Sequence, residues 1–270
     1  MDYRVCFKET YMDDLINIEV NEQLCNILCY PKADSECCRR RISFLEKHGI
    51  NRIVNYGSKI VGKLRVIDIG YSSIIVLALT DKDEIVALKL LRRDSRRNSL
   101  RHECNITLMA SKLGVSPRIY TCNDEILVLE FIDGAPLAYI MTSTTNSFND
   151  YFIYTNVLKT WLRAAIYKAY LLDIHGIDHG ELSRPYKHIL ISPRGVFIVD
   201  YESASTKRKT ANVTSIVSGL LIRKNKLTLA IRSILGLDDE AINELTLILK
   251  EYKNKGKEYK YVQKILQKLG

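Results

Sequence analysis

Three apolar runs between Lys59 and Leu91 constrain the fold of this chain more than any other feature. "KLRVIDIG", "SSIIVLALT" and "EIVALKLL" are rich in valine, isoleucine and leucine, and are parted by Gly70 and by "TDKDE". Such runs between turn formers predict a three-stranded antiparallel meander. "NSLRHECNITLMASKLG" follows and predicts a helix capped by Asn98 or Ser99 and stopped by Gly114. "RIYTCN" and "EILVLEF" predict two further strands joined by a turn at Asn123 and Asp124. Together these make a compact sheet with one helix against it.

Past "IDGAPL" the hydrophobic period becomes helical. "NVLKTWLRAAIYKAYLLDIHG" sets Leu158, Trp161, Leu162, Ala165, Ala169 and Leu172 on one stripe, an amphipathic helix ended by Gly176. Two short strands, "HILIS" and "GVFIVD", come next, then helices near 210 to 235 and 238 to 268. The expected fold class is α+β: a small antiparallel β-rich lobe with one helix, a short hinge and a mainly α lobe. The expected domains are an appended region at 1–58, the β-rich lobe at 59–132 and the helical lobe at 133–270, which ends in a basic helix. Within the appended region, "DSECCRRRISFLEKHG" predicts a helix capped by Asp34 or Ser35 and stopped by Gly49.

No stretch approaches the ~18 to 20 apolar residues needed to cross a bilayer, and "MDYRVCFKET" has no apolar signal core. A cytoplasmic location follows as the expectation, with the seven cysteines as reduced thiols. Cys25 and Cys29 have a metal-ligand spacing. Adjacent Cys37 and Cys38 would point about 100° apart on a helix, which argues against a zinc site. The net charge of +9 is clustered: residues 92 to 101 hold five arginines against one aspartate, and Lys250 to Lys268 hold seven lysines against two glutamates. Such runs are solvated faces or seats for phosphate-rich partners such as RNA or a ribosomal particle, with Arg92, Arg93, Arg96 and Arg97 as candidates.

Residues with chemical potential come in a fixed order. A turn, "IGYSS", lies between the first two strands. In "VALK", Lys89 follows Ala87 by two residues, so both point to one face of the third strand. An ammonium among apolar residues needs a negative partner, and Glu103 on the next helix, or a phosphate, supplies one. "LVLEFIDGAPL" ends the sheet. Then "DHGELSRPYKHILISPRGVFIVDYESAS" gives a His-Gly-carboxylate turn, a basic loop and an aspartate at the end of an apolar run.

This order resembles that of protein kinases, and the loop at His179 and Gly180 resembles the His-Gly-Asp form of RIO-type kinases and aminoglycoside phosphotransferases. The similarity covers about residues 59 to 205 and is greatest to atypical archaeal serine/threonine kinases related to the RIO kinases. It implies a bilobal kinase fold, with ATP and Mg²⁺ as cofactors. In the phosphate turn only Gly70 matches the glycine pattern, with Ser72 and Ser73 small enough for close approach. Ala87 and Lys89 would face the nucleotide, with Glu103 as the ion-pair partner of Lys89. Leu129 stands as gatekeeper, and the backbone of Glu130 and Ile132 would meet adenine.

Glu181 replaces the catalytic aspartate. Tyr186 stands where the asparagine is expected, and His188, two residues later, takes its place in a longer loop. Arg184 and Lys187 would steady the transferring phosphoryl group. Asp200, Tyr201 and Glu202 take the positions of Asp-Phe-Gly, so Asp200 and His188 would hold the metal. The short stretch after "DYESAS" lacks an Ala-Pro-Glu motif. The implied activity is transfer of phosphate to a protein hydroxyl, with the protein itself among the acceptors. A nucleotide-binding scaffold or slow ATPase on a ribonucleoprotein is the alternative. A small-molecule phosphotransferase fits a basic surface less well.

Overall fold

A computed structural model of the chain describes residues 17–143 and 151–270. Cys6 lies outside the described residues. Two compact units emerge: residues 17–108 with Pro117–Ile132, and Met109–Ser116 with Asp133–Gly270.

The first unit opens with strand β1 (Asn17–Glu19), helices α1 (Cys25–Leu28) and α2 (Ser35–Lys47), and strand β2 (Ile50–Val54). Asp34 caps α2 by accepting the Cys37 N–H, and Gly49 follows the helix in the left-handed region at φ 66°. Next come β3 (Lys59–Val61), β4 (Leu64–Val66), β5 (Asp68–Ile69), β6 (Ser73–Thr80) and β7 (Ile85–Leu91). Helix α3 (Arg101–Lys112), β8 (Ile119–Cys122) and β9 (Ile126–Glu130) complete the unit's elements, the last turn of α3 passing into the second unit.

Among the described residues the antiparallel sheet runs β1-β2-β6-β7-β9-β8, with β5 also on β6. Part of the region expected as an appendage therefore lies inside the sheet, because β2 pairs with β6 and brings its apolar residues with it. Ile27, Leu28 and Leu45 from α1 and α2 pack with Ile50, Ile53, Val76, Leu88 and Leu90 in one core. The first strand of the expected meander also differs. "KLRVIDIG" is divided: Leu64–Val66 turns back on β3, and only Asp68–Ile69 pairs with β6. Gly62, at φ 60°, makes the tight turn that closes the local hairpin.

The six described cysteines are bonded as Cys25–Cys38, Cys29–Cys37 and Cys104–Cys122, which corrects the expectation of reduced thiols. Their Cα separations of 5.3, 6.4 and 6.5 Å lie within the span of a disulfide. The divergence of Cys37 and Cys38, unfavourable for one metal, lets each reach a different cysteine at α1. Beside this staple Arg41 is buried, donating to the carbonyls of Leu28 and, at 2.7 Å, Leu91.

The second unit contains β10 (Ala135–Pro136), α4 (Leu137–Ser143), α5 (Tyr151–Ile174), β11 (Ile189–Ser192) and β12 (Gly195–Ile198). Helices α6 (Asn212–Val217), α7 (Lys226–Leu235), α8 (Asp239–Asn254) and α9 (Tyr259–Lys268) follow. Strands β10, β11 and β12 form a small antiparallel sheet. The expected stripe on α5 is buried at Leu158, Leu162, Ala165, Ala169 and Leu172, and half-buried at Trp161. The helix expected over 238 to 268 is broken between Asn254 and Tyr259, where Gly256 takes φ 93°. The architecture is mixed α+β with antiparallel sheets. No helix among the described residues is long and apolar enough to cross a membrane.

Candidate functional site

In the β-rich unit the chemistry centres on Lys89. Its strand lies between β6 and β9, with Ile75 and Leu127 opposite it. The ammonium donates to Glu103 Oε1 at 2.5 Å, and both side chains are buried. Arg97 Nη1 donates to the other oxygen, Oε2, at 3.2 Å. One buried carboxylate thus serves two cations. The pairing of Lys89 with Glu103 was expected; Arg97 was legible only as one of a basic run.

The turn at Gly70 is tight. Gly70 N–H donates to Ser73 O at 2.8 Å, leaving Tyr71 exposed at the tip and Ser72 and Ser73 buried. Arg92 fastens it, donating Nη1 to Gly70 O and its own N–H to Ser72 O, both at 2.8 Å. The rest of that guanidinium pairs with both oxygens of Asp94 at 2.9 and 2.7 Å. Arg93 faces Asp34 at 3.8 Å. Three of the four arginines expected to meet a polyanion are therefore engaged inside the chain, and Arg96 is exposed. At the end of the sheet, Glu130 gives its N–H to Arg118 O at 2.8 Å and accepts the Arg118 N–H on its carboxylate at 3.1 Å. Ala87 and Ile132 are buried.

In the helical unit the segment after α5 gathers three residues that lie between positions 181 and 200. Glu181 Oε2 stands 3.2 Å from His188 Nε2, and Oε1 accepts the Ser203 hydroxyl. On its other side, His188 Nδ1 stands 3.9 Å from Asp200 Oδ2. His188 is buried, whereas Glu181 and Asp200 each leave 43% of the side chain exposed, so ligands reach the carboxylates from solvent. Asp200 holds a left-handed backbone, φ 70°, which a non-glycine residue seldom adopts and which clusters at functional positions. Arg184 and Lys187 are exposed, and Arg184 meets Glu181 through its backbone N–H, 2.9 Å from the carbonyl.

The loop is tied at both ends. Asp178 and Ser205 exchange backbone hydrogen bonds at 2.9 and 2.7 Å, and Arg208 joins Asp178 Oδ2 at 2.8 Å to Ser203 O at 2.6 Å. Position 180 must be glycine: φ is 86°, and a Cβ would stand 2.6 Å from Ser203 O. His179 is wholly buried, its Nδ1 accepting the Glu181 N–H at 3.4 Å and its Nε2 3.1 Å from Val199 O. Burial, with His188 beside it, lowers its pKa to about 4. Tyr201, expected in the phenylalanine position, is buried with its ring 4.9 Å from that of His179, and burial raises its pKa.

Residues that the motifs did not mark hold this loop from below. Asn212 Oδ1 accepts the His179 N–H at 2.9 Å, and its amide donates to Ile177 O at 2.6 Å and Asp173 Oδ1 at 2.9 Å. Buried Asp173 also accepts from the N–H groups of Asn212 and Val213 at 2.8 and 3.1 Å, and from the Tyr252 hydroxyl at 2.8 Å. One signal was available: Asp173 lies in the last turn of α5, where the helix dipole disfavours a carboxylate unless donors compensate it.

No family model matches the chain. It is 28% identical over 125 residues to an uncharacterized protein of Methanocaldococcus jannaschii, covering 46% of this chain and 98% of that one.

Proposed function

We propose that this protein is an ATP- and divalent-metal-dependent phosphotransferase of bilobal, protein-kinase-like architecture, transferring a phosphoryl group to a protein hydroxyl. The observation that carries the reading is the meeting of Glu181, His188 and Asp200 in the loop that resembles the kinase catalytic segment. The Lys89–Glu103 pair, on a strand and helix in the kinase order, supports it independently.

Each group then has a task. Lys89 offers its ammonium to phosphate oxygens, and Arg97 keeps Glu103 compensated when Lys89 turns to them. The Glu130 N–H is already bonded to Arg118, so adenine would be met by carbonyl oxygen at Glu130 and by the backbone of Ile132. Glu181 Oε1 already accepts a seryl hydroxyl; a substrate hydroxyl replacing Ser203 would give its proton to the same oxygen. Asp200 and His188 would hold a divalent cation, Mg²⁺ in the kinase pattern, which supplies charge neutralisation on the phosphate oxygens. Arg184 and Lys187, being exposed, are placed to meet an anionic substrate rather than to neutralise Glu181.

One observation favours ATP hydrolysis without a protein acceptor. Only residues 206–211 separate the Asp178–Ser205 bridge from α6, leaving little chain to present a peptide. Incubating the purified chain with labelled ATP distinguishes the two: label on protein supports the kinase reading, and free phosphate alone supports the ATPase.

A further inference from the structure

The ring of His188 presents its two nitrogens to two different carboxylates. Glu181 Oε2 stands 3.2 Å from Nε2 on one side of the ring. On the other side of the ring lies Nδ1, the nitrogen through which a neutral imidazole could bind a metal. That nitrogen is buried and has no hydrogen-bond partner among the described residues. Asp200 Oδ2 faces it at 3.9 Å, too long for a hydrogen bond and short enough for one cation to touch both atoms. A buried, unsatisfied polar atom is costly as it stands; a metal ion shared with Asp200 would satisfy Nδ1.

The donor types bear on the ion. Mg²⁺ takes hard oxygen ligands, whereas imidazole nitrogen suits transition-series ions, and Mn²⁺ also accepts carboxylate and phosphate oxygens. A carboxylate on the far nitrogen of a ligating histidine fixes the tautomer and ring orientation and makes the ligand more basic. Glu181 stands in that relation to His188.

We infer that His188 Nδ1 and Asp200 form a site for a manganese-class divalent cation, with Glu181 Oε2 as the positioning carboxylate behind the histidine. The inference rests on the phosphotransferase reading only in taking Asp200 as a ligand. It makes Glu181 serve two ends, Oε2 orienting the metal ligand and Oε1 receiving the substrate hydroxyl.

The test uses the full, tag-free chain with Mn²⁺, alone and with ADP, read by electron spin-echo envelope modulation. Expected are modulations from one directly bound ¹⁴N that vanish in His188→Asn, whose amide oxygen keeps a ligand in place and improves competition by Mg²⁺. Glu181→Gln should weaken Mn²⁺ binding on the order of tenfold, as disturbance behind a metal ligand does. Mn²⁺ bound through oxygen alone in the wild type, nitrogen modulation that survives His188→Asn, or no Mn²⁺ binding with or without ADP would each overturn the inference. The two readings fail separately. Nitrogen-bound Mn²⁺ without phosphoryl transfer leaves the site standing and ends the kinase reading, while transfer with oxygen-only Mn²⁺ does the reverse.

Discussion

Lys89 and Glu103 meet as a buried ion pair at 2.5 Å, and Arg97 takes the second carboxylate oxygen at 3.2 Å. Removing one partner of a buried pair costs about 3–5 kcal/mol, because the other charge is left uncompensated. With Arg97 still present, Lys89→Met should fall at the low end of that range in urea unfolding. Lys89→Met with Glu103→Leu should recover most of the stability and none of the nucleotide affinity. Wild-type ATP binding by the folded double variant would remove Lys89 from the site.

The paired sulfurs give a chemical count. Six of seven cysteines lie in disulfides, so denatured, unreduced protein should show no more than one reactive thiol, and seven after reduction. Each bridge contributes roughly 2–4 kcal/mol, and reduction should lower the unfolding midpoint accordingly. Seven reactive thiols before reduction would contradict the pairing.

His179 should titrate near pH 4, far below an ordinary histidine, because burial disfavours the imidazolium. The sign follows from the depressed value. The unfolded chain binds the proton near pH 6.5 and the folded chain only near pH 4, so stability holds above about 6.5 and falls as pH drops between the two. The loss approaches roughly 3 kcal/mol at full span. The ring proton shifts of His179, followed by NMR, should stay flat from pH 7.5 to 5.5; a midpoint near 6.5 would show the ring to be solvated.

The apolar runs at 73–80 and 85–91 and the stripe on α5 were legible because period and burial agree there. The β4–β5 break was not, since Leu64 to Ile69 reads as one run and Gly62, whose turn folds Leu64–Val66 back on β3, lies ahead of it. Lys89 and Glu103 could be paired from their places on a strand and the next helix. Arg92 and Arg97 could not be assigned, because nothing local distinguishes an arginine pinned to a carbonyl or a carboxylate from one in solvent. Asn212 and Tyr252 escaped for a similar reason: each acts on the loop through contacts more than thirty positions away.

The central claim is tested most directly by incubating the chain with γ-labelled ATP and divalent metal, and following label into protein. The wild type should transfer slowly. Glu181→Gln should lower the rate by at least about tenfold, as expected for loss of a general base, while ATP affinity is kept. Equal transfer by the two proteins, or none by either, would contradict the assignment of this loop to phosphoryl transfer.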